Sequence, residues 1–346
     1  MGAGRDGQTY SMELPRGHVA GLVRTRAELI ESGMTDNQIA RLVRARILYR
    51  LRYGAYVPHE EWIGRPPPER HRLLCRAVLA SADETTALTH LSSVVERGIP
   101  VWGLPLGVVH TTRTRSQRAG RRHRDWVQHR GTLAPDEVEW LNGVPISTAA
   151  RSAMEVATIA GVEPALVVVN GLLRAKALSL PALAAEVERC RYWPGSLTAD
   201  LVLRLADPRL ESVGEDRFSY LAFRQALPKP VPQLEIYDET GLLVARVDFA
   251  WPEYGVFLEF DGRVKYERYR REGETLEEFL MREKKREELV CQLTGWTCIR
   301  ATWSDLDTPA LLASRVRHVF VARHGRQPGV VRATLARESP GWQSRH

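Results

Sequence analysis

The sequence predicts a mixed α/β chain, α+β overall, built in more than one domain. Three stretches carry that prediction. Leu22 to Val57 reads as helix, turn, helix and hairpin. The middle is rich in alanine and leucine at helical spacing. Val244–Phe249 and Val256–Phe260 are two strand-like runs between amphipathic helical stretches. The 346 residues allow two or three domains of roughly 100–200 residues each. The expected divisions are 1–60, 61–205, 206–320 and a basic, flexible tail at 321–346.

Hydrophobic residues make up 44% of the chain, enough for packed cores. The formal charge is +7, which favours polyanionic partners, nucleic acid first. Arginine supplies most of it, since lysine occurs only at Lys176, Lys229, Lys265, Lys284 and Lys285. A guanidinium fork binds phosphate bidentately, although a GC-rich genome enriches arginine without any such selection. Cys75, Cys190, Cys291 and Cys298 form no C-x-x-C pair, so free thiols in a cytoplasmic protein are expected. No apolar run approaches about 18 residues, so no membrane span is expected. The first residues lack the apolar core of a secretory signal.

In the N-terminal segment Thr25 and Glu28 have capping-box spacing, and Gly33 ends the first helix. Thr35 or Asp36 caps a second, Asp36–Ile47, on which Ile39, Leu42 and Val43 form a stripe. Arg41, Arg44 and Arg46 lie largely off that stripe, and Arg50 and Arg52 fall in the following hairpin. No acid interrupts these five arginines. The order resembles the winged helix-turn-helix that opens the AbiEi-type (abortive-infection antitoxin) family. That resemblance implies a recognition helix at Asp36–Ile47, with Arg41, Arg44 and Arg46 on DNA and Arg50 and Arg52 in the wing. An amphipathic helix with a solvated arginine face reads the same way, and the module also serves protein contacts.

The middle opens on the linker GRPPPER and a helix at Arg70–Ser81. TTALTHLSSVVERGIPVW reads as a further helix carrying Leu88, Leu91 and Val95. Val108–Arg113 reads as a strand, followed by RTRSQRAGRRHRDW, a hairpin leading back to WVQHR. Arg121 and Arg122 belong to this basic run, which is either a phosphate-backbone footprint or a solvated hairpin. His90, His110 and His129 are scattered, and each reads as a polar filler or surface residue. Ser147 or Thr148 caps the next helix, and Ala165–Leu173 is apolar nearly all round, so it is expected in a core. HLSS, GIPVWGLP and PISTAARSAMEVA resemble the central domain of AbiEi-type proteins, which implies a structural or interaction module.

The last third carries the chemistry. ESVGEDRF leads a helix, Glu211–Ala226, with Glu211 and Glu215 four apart on one face. The runs Val244–Phe249 and Val256–Phe260 are joined by WPEYG. Side chains two apart on a strand share a face, so Glu259 and Asp261 do, and a hairpin brings Asp248 beside them. Converging carboxylates repel and are costly to desolvate; a divalent cation offsets the cost, and Mg²⁺ favours oxygen ligands. The alternative is an ordinary hairpin with solvated acids and a turn at Asp261-Gly262. A charged helix, Thr275–Leu293, carries Lys284 and Arg286, and GWTCIRATW is a final strand with Trp296, Cys298 and Arg300 on one face.

The pattern Asp248, then Glu259-Phe260-Asp261-Gly262, then Lys265, resembles the PD-(D/E)XK nuclease superfamily, most closely its Vsr-like domains, over residues 208–308. The resemblance implies a restriction-endonuclease-like mixed sheet flanked by helices. It also implies that Asp248, Glu259 and Asp261 hold Mg²⁺ or Mn²⁺, with Glu215 and Lys265 assisting. Lys284, Arg286 and Arg300 then face DNA. Asp261 stands where the simplest superfamily signature has lysine, and no histidine follows Asp261-Gly262. The expected function is a metal-dependent DNA endonuclease with a DNA-binding N-terminal domain, in phage defence or DNA repair. The alternative is a DNA-binding, antitoxin-like regulator whose nuclease fold is silent. DNA is the expected partner; a protein partner or a homodimer stays open.

Overall fold

A computed structural model of the chain describes residues 21–115, 120–261, 273–324 and 333–334, with backbone only for Asp261, Ala333 and Thr334. The class is mixed α/β, with helices and three sheets of 3, 6 and 5 strands. The chain forms two compact units, residues 1–206 and 207–346.

In the first unit β1 (Arg24–Thr25) leads into α1 (Arg26–Glu31), capped by the Thr25–Glu28 box. Helix α2 (Asp36–Arg44) starts on a second box, Thr35–Gln38. It ends three residues before the expected Ile47, because Arg46 turns into the left-handed region at φ 56°. Strands β2 (Leu48–Arg52) and β3 (Ala55–Pro58) form the hairpin, and β1 pairs with β3. The expected division at residue 60 falls inside this unit: Val57 packs on Leu73, together with Leu22, Val23, Tyr49, Leu51 and Trp62. Helices α3 (His59–Ile63) and α4 (Pro67–Leu79) supply part of that core.

The stretch expected as one helix over TTALTHLSSVVERGIPVW is instead strand β4 (Thr86–Leu88) followed by α5 (His90–Glu96). Leu88 pairs with Thr111 on one side and Ile146 on the other, so tertiary pairing overrides the helical spacing. His90, at φ 52°, makes the corner. The expected hairpin is also corrected. Strands β5 (Val109–Arg113) and β7 (Trp126–Thr132) run parallel, and the antiparallel neighbour of β7 is the two-residue β6 (Arg121–Arg122). Strands β8 (Val138–Leu141) and β9 (Val144–Ser147) complete the order β6-β7-β5-β4-β9-β8. Helix α6 (Ala149–Ile159), capped by Thr148, and α7 (Val162–Arg174) are followed by α8 (Leu180–Arg189) and α9 (Ser196–Leu205). Ala165–Leu173 is buried throughout, as its composition predicts.

The second unit begins with α10 (Val213–Arg224), capped by Ser212. Strands β10 (Val231–Tyr237), β11 (Leu243–Trp251) and β12 (Val256–Asp261) pair antiparallel in sequence. The Pro252–Tyr254 turn closes on Gly255 at φ 60°. Helix α11 (Leu276–Thr294) follows, and then β13 (Thr297–Thr302) lies parallel to β12. Helices α12 (Trp303–Leu306) and α13 (Pro309–Arg323) come next. The region expected as a flexible tail contributes β14 (Ala333–Thr334), which pairs with Glu235–Ile236 at the sheet edge. The order is β13-β12-β11-β10-β14.

This sheet has two cores. Phe218 of α10 and Phe320 of α13 belong to the one containing Phe249, Trp251, Leu258 and Phe260. Val290 of α11 belongs to the other, with Leu234, Val247, Ala250 and Phe257. Val247 and Ala250 are three residues apart yet share a core, so the period-two alternation of β11 slips at Asp248. Strand β10 slips at the same level, between Leu234 and Val231, where Gln233 takes φ 55°. Because both strands slip together, their register is the same on either side. Irregularities of this kind re-aim side chains and are common beside active sites.

Candidate functional site

At the slip two of the predicted acids, Asp248 and Glu259, come level on adjacent strands. Phe249 pairs with Leu258 across β11 and β12, so Asp248 and Glu259 are the next residues along on each strand. Both are buried, each 7% exposed. An Oδ2 of Asp248 accepts the backbone N–H of Phe260 at 2.8 Å, which fixes the carboxylate against the neighbouring strand. Glu259 pairs in register with Arg300 on β13.

Glu215 reaches the same level from α10. Its Oε2 accepts from the Gln233 side chain at 2.8 Å and from the backbone of Glu211 at 2.9 Å, while Oε1 accepts the Ser212 hydroxyl at 2.7 Å. Pro232–Phe249 and Leu234–Val247 pair on either side, so Gln233 stands level with Asp248 and links Glu215 to the row. Glu211, the other acid of that helix approach, pairs with Arg246 at 2.6 Å. Gly214 allows the close approach: a Cβ there would sit 2.2 Å from the Phe260 ring. Strand β12 ends at Asp261, opposite Thr302, and its side chain lies outside the described residues, as does Lys265.

Arg286, assigned from sequence to DNA, instead joins the acids. It donates to Glu259 Oε1 at 3.2 Å and to the Arg246 carbonyl at 3.2 Å, and pairs with Glu283 at 3.1 Å. Burial opposes its charge, but Glu259, Glu283 and Asp248 outweigh burial and hold its pKa above the ordinary value. Helical spacing carries the signal for this placement: Arg286 lies one turn before Val290, which packs on the same sheet face. Lys284 is exposed on α11, and Arg300 is exposed and donates its Nε to Glu287 at 2.8 Å.

In the first unit Arg41, Arg44, Arg46 and Arg50 are exposed. Arg52 turns inward: it pairs with Asp125 at 3.4 Å, donates to Ser81 at 3.2 Å and lies over the Trp126 ring. Arg121 and Arg122 are exposed on β6.

A second cluster was not legible as one. His90, His110 and His129, 20 and 19 residues apart in the chain, bring ring nitrogens within 4.8 Å of one another and can hold a metal ion. Burial first, and then the neighbouring rings, push His110 down to about 3, and burial pushes His129 down to about 4. The same causes hold His90 well below its ordinary value. The one sequence signal is that His110 and His129 fall on strand-like runs on either side of the basic segment.

No family model matches the chain. Two uncharacterized proteins of Mycobacterium tuberculosis, MT2308 of strain CDC 1551 / Oshkosh and Rv2248 of strain ATCC 25618 / H37Rv, are each 27% identical to it over 302 residues, covering 84% of this chain and 99% of each relative. The crystal structure of the RV2827C protein from Mycobacterium tuberculosis aligns with 53% of this chain and 71% of its own, at TM-score 0.35 and 18% identity. No described helix is long and apolar enough to cross a membrane.

Proposed function

We propose that residues 207–346 form a metal-dependent DNA endonuclease domain and that the N-terminal helix-turn-helix and hairpin supply duplex affinity. The observation that carries this reading is the burial of Asp248 and Glu259 at one level of adjacent strands. Two desolvated carboxylates on a sheet are unfavourable unless cations offset them. Arg286 is one such cation. The acids offer hard oxygen ligands of the type Mg²⁺ or Mn²⁺ takes, so the residues fit the ion. The likeness of Asp248 and Glu259-Phe260-Asp261-Gly262 to the Vsr-like PD-(D/E)XK pattern supports the same assignment.

Asp248 and Glu259 would hold the ion, which supplies Lewis acidity and a lowered pKa for bound water. Asp248 is oriented by the Phe260 N–H. Arg286 orients Glu259 and adds positive charge beside a scissile phosphate. Glu215 acts through Gln233, holding the level of the strand slip. On the sequence pattern, Asp261 assists in metal binding and Lys265 neutralises the developing oxyanion. DNA is the partner, and the compartment is the cytoplasm.

One observation favours a second reading, a DNA-binding regulator with a silent nuclease fold. The Arg286–Glu259 pair already neutralises one acid without a metal. Cleavage of supercoiled plasmid and of mismatched or branched duplexes with Mg²⁺ or Mn²⁺ separates the two. Cutting by the wild type that is lost with EDTA and in Asp248→Asn establishes the nuclease. Equal DNA binding by both proteins, with no cutting of any substrate, selects the regulator.

A further inference from the structure

We propose that His90, His110 and His129 form a three-histidine site for a divalent transition-metal ion of the Zn²⁺ type, independent of the carboxylate site in the second unit. The three residues come from three elements: the β4–α5 corner, β5 and β7. Their convergence is therefore a property of the fold and not of local spacing.

The rings are stacked: His90 and His129 have centroids 3.6 Å apart, and His110 and His129 5.1 Å. Nδ1 of His110 faces Nε2 of His129 at 2.8 Å. A neutral imidazole pair at that distance shares one proton, in the place where an ion would bridge two ligands. Zn–N distances of about 2.0–2.1 Å at a tetrahedral centre set ligand nitrogens about 3.3 Å apart. Taking up an ion separates these two nitrogens by about half an ångström, turns both rings so that their lone pairs point at it, and rotates His90 out of its stack on His129. Nδ1 of His90 lies 3.0 Å from the Thr89 hydroxyl and 3.6 Å from Oε2 of Glu155, which leaves Nε2 for the metal.

The surroundings have the form of an outer shell that holds ligands in place. Glu155 is buried and accepts the backbone N–H of His90 at 2.9 Å. Arg151 grips Glu155 at 2.9 Å and Glu137 at 2.8 Å. Ser92 accepts the backbone N–H of His110 at 2.8 Å and contacts His71 at 2.9 Å. Glu155, committed to these bonds, serves the outer shell and is not a ligand. Nitrogen donors select Zn²⁺ and its transition-metal neighbours over Mg²⁺ and Ca²⁺. Three protein ligands leave a fourth position for water or a ligand, the pattern of catalytic zinc and not of closed structural sites.

The test uses the full chain, dialysed against EDTA and titrated with Zn²⁺ by calorimetry and with Co²⁺ by visible absorption. The wild type is expected to bind one equivalent, with the d–d bands of a four-coordinate Co²⁺ centre and a raised Tm. His129→Gln and His110→Ala should each weaken Zn²⁺ binding by more than the roughly 10–100-fold that loss of an outer-shell partner costs, and Asp248→Asn with Glu259→Gln should leave it unchanged. Excess Mg²⁺ should not compete. Circular dichroism of the metal-free variants separates lost ligands from lost fold; His129→Gln keeps a polar side chain for that purpose. Absence of saturable binding by the wild type overturns the site. Equal affinity in a folded His129→Gln protein overturns it as well, as does loss of binding in the carboxylate variant.

Discussion

The Asp248 carboxylate accepts the backbone N–H of Phe260 at 2.8 Å, so one acid both completes a sheet hydrogen bond and faces the proposed chemistry. Substitution separates these roles. Asp248→Ala leaves a buried N–H without this acceptor and should cost about 1–3 kcal/mol in urea unfolding. Asp248→Asn keeps an acceptor oxygen and should cost less than half of that. Both should lower cleavage by a factor on the order of 10²–10³. Full activity in Asp248→Asn would remove this residue from the chemistry.

Arg286 is one cation paired with the buried Glu259 carboxylate. Arg286→Met leaves the acid without that partner, and the partial exposure of the arginine moderates the cost to about 1–3 kcal/mol. Added Mg²⁺ should restore part of the loss, so the Mg²⁺-induced rise in Tm should be larger in Arg286→Met than in the wild type. An identical, flat response in both proteins argues against a metal beside Glu259.

Gly214→Ala tests how α10 is set on the sheet. Alanine is the better helix former by about 1 kcal/mol. Its Cβ, however, meets the Phe260 ring at 2.2 Å. Overpacking of a buried aromatic costs about 1–3 kcal/mol or more, so the clash wins and the variant should melt at lower temperature. Glu215 is the next residue, and a shift of α10 should reduce cleavage as well. A stabilised variant would mean that the helix slides without consequence for β12.

The acids of the second unit were legible because their information is local. Two β-branched and aromatic runs joined by a Pro/Gly turn read as a hairpin, and its register brings Asp248 level with Glu259. The role of Arg286 was hidden because it depends on how α11 docks on the sheet. The stretch Thr86–Glu96 misled for a similar reason: its leucines and valines suit a helix, but pairing of Leu88 with Thr111 and Ile146 draws the first residues into a strand. The histidines converge through a parallel crossover between β5 and β7, a pairing that no spacing rule reports.

His71 provides a pH dependence. Its imidazole contacts the Leu106 carbonyl and the Ser92 hydroxyl, each at 2.9 Å. Burial pushes it down to about 4 from 6.5; the Leu106 carbonyl and Glu96 oppose the shift and Arg72 adds to it. The unfolded chain therefore takes up this proton first. Stability is full above about pH 6.5 and declines as the pH falls toward 4, with a contribution of roughly 3 kcal/mol from this residue. His71→Gln removes that contribution to the slope, which urea unfolding at a series of pH values measures. An unchanged slope would mean that His71 titrates alike in both states.

The helix-turn-helix makes a separate prediction through its exposed arginines. Arg41 and Arg44 lie on α2 with no acid between Arg41 and Arg52. Arg52, by contrast, is committed to Asp125 and Trp126. If α2 enters or borders the duplex, Arg41→Ala and Arg44→Ala should each weaken DNA binding, and each lost phosphate contact should reduce the slope of log K against log salt by about 1. Arg52→Ala should change stability more than the salt slope. Base contacts give a different result: an arginine reading a guanine edge costs about 1–3 kcal/mol on the preferred sequence and little on others. Fluorescence anisotropy with two duplex sequences over a range of salt distinguishes the cases. Unchanged affinity and slope in the double variant would assign α2 to a protein contact, and DNA affinity would then rest on the arginines of β6 and the second unit.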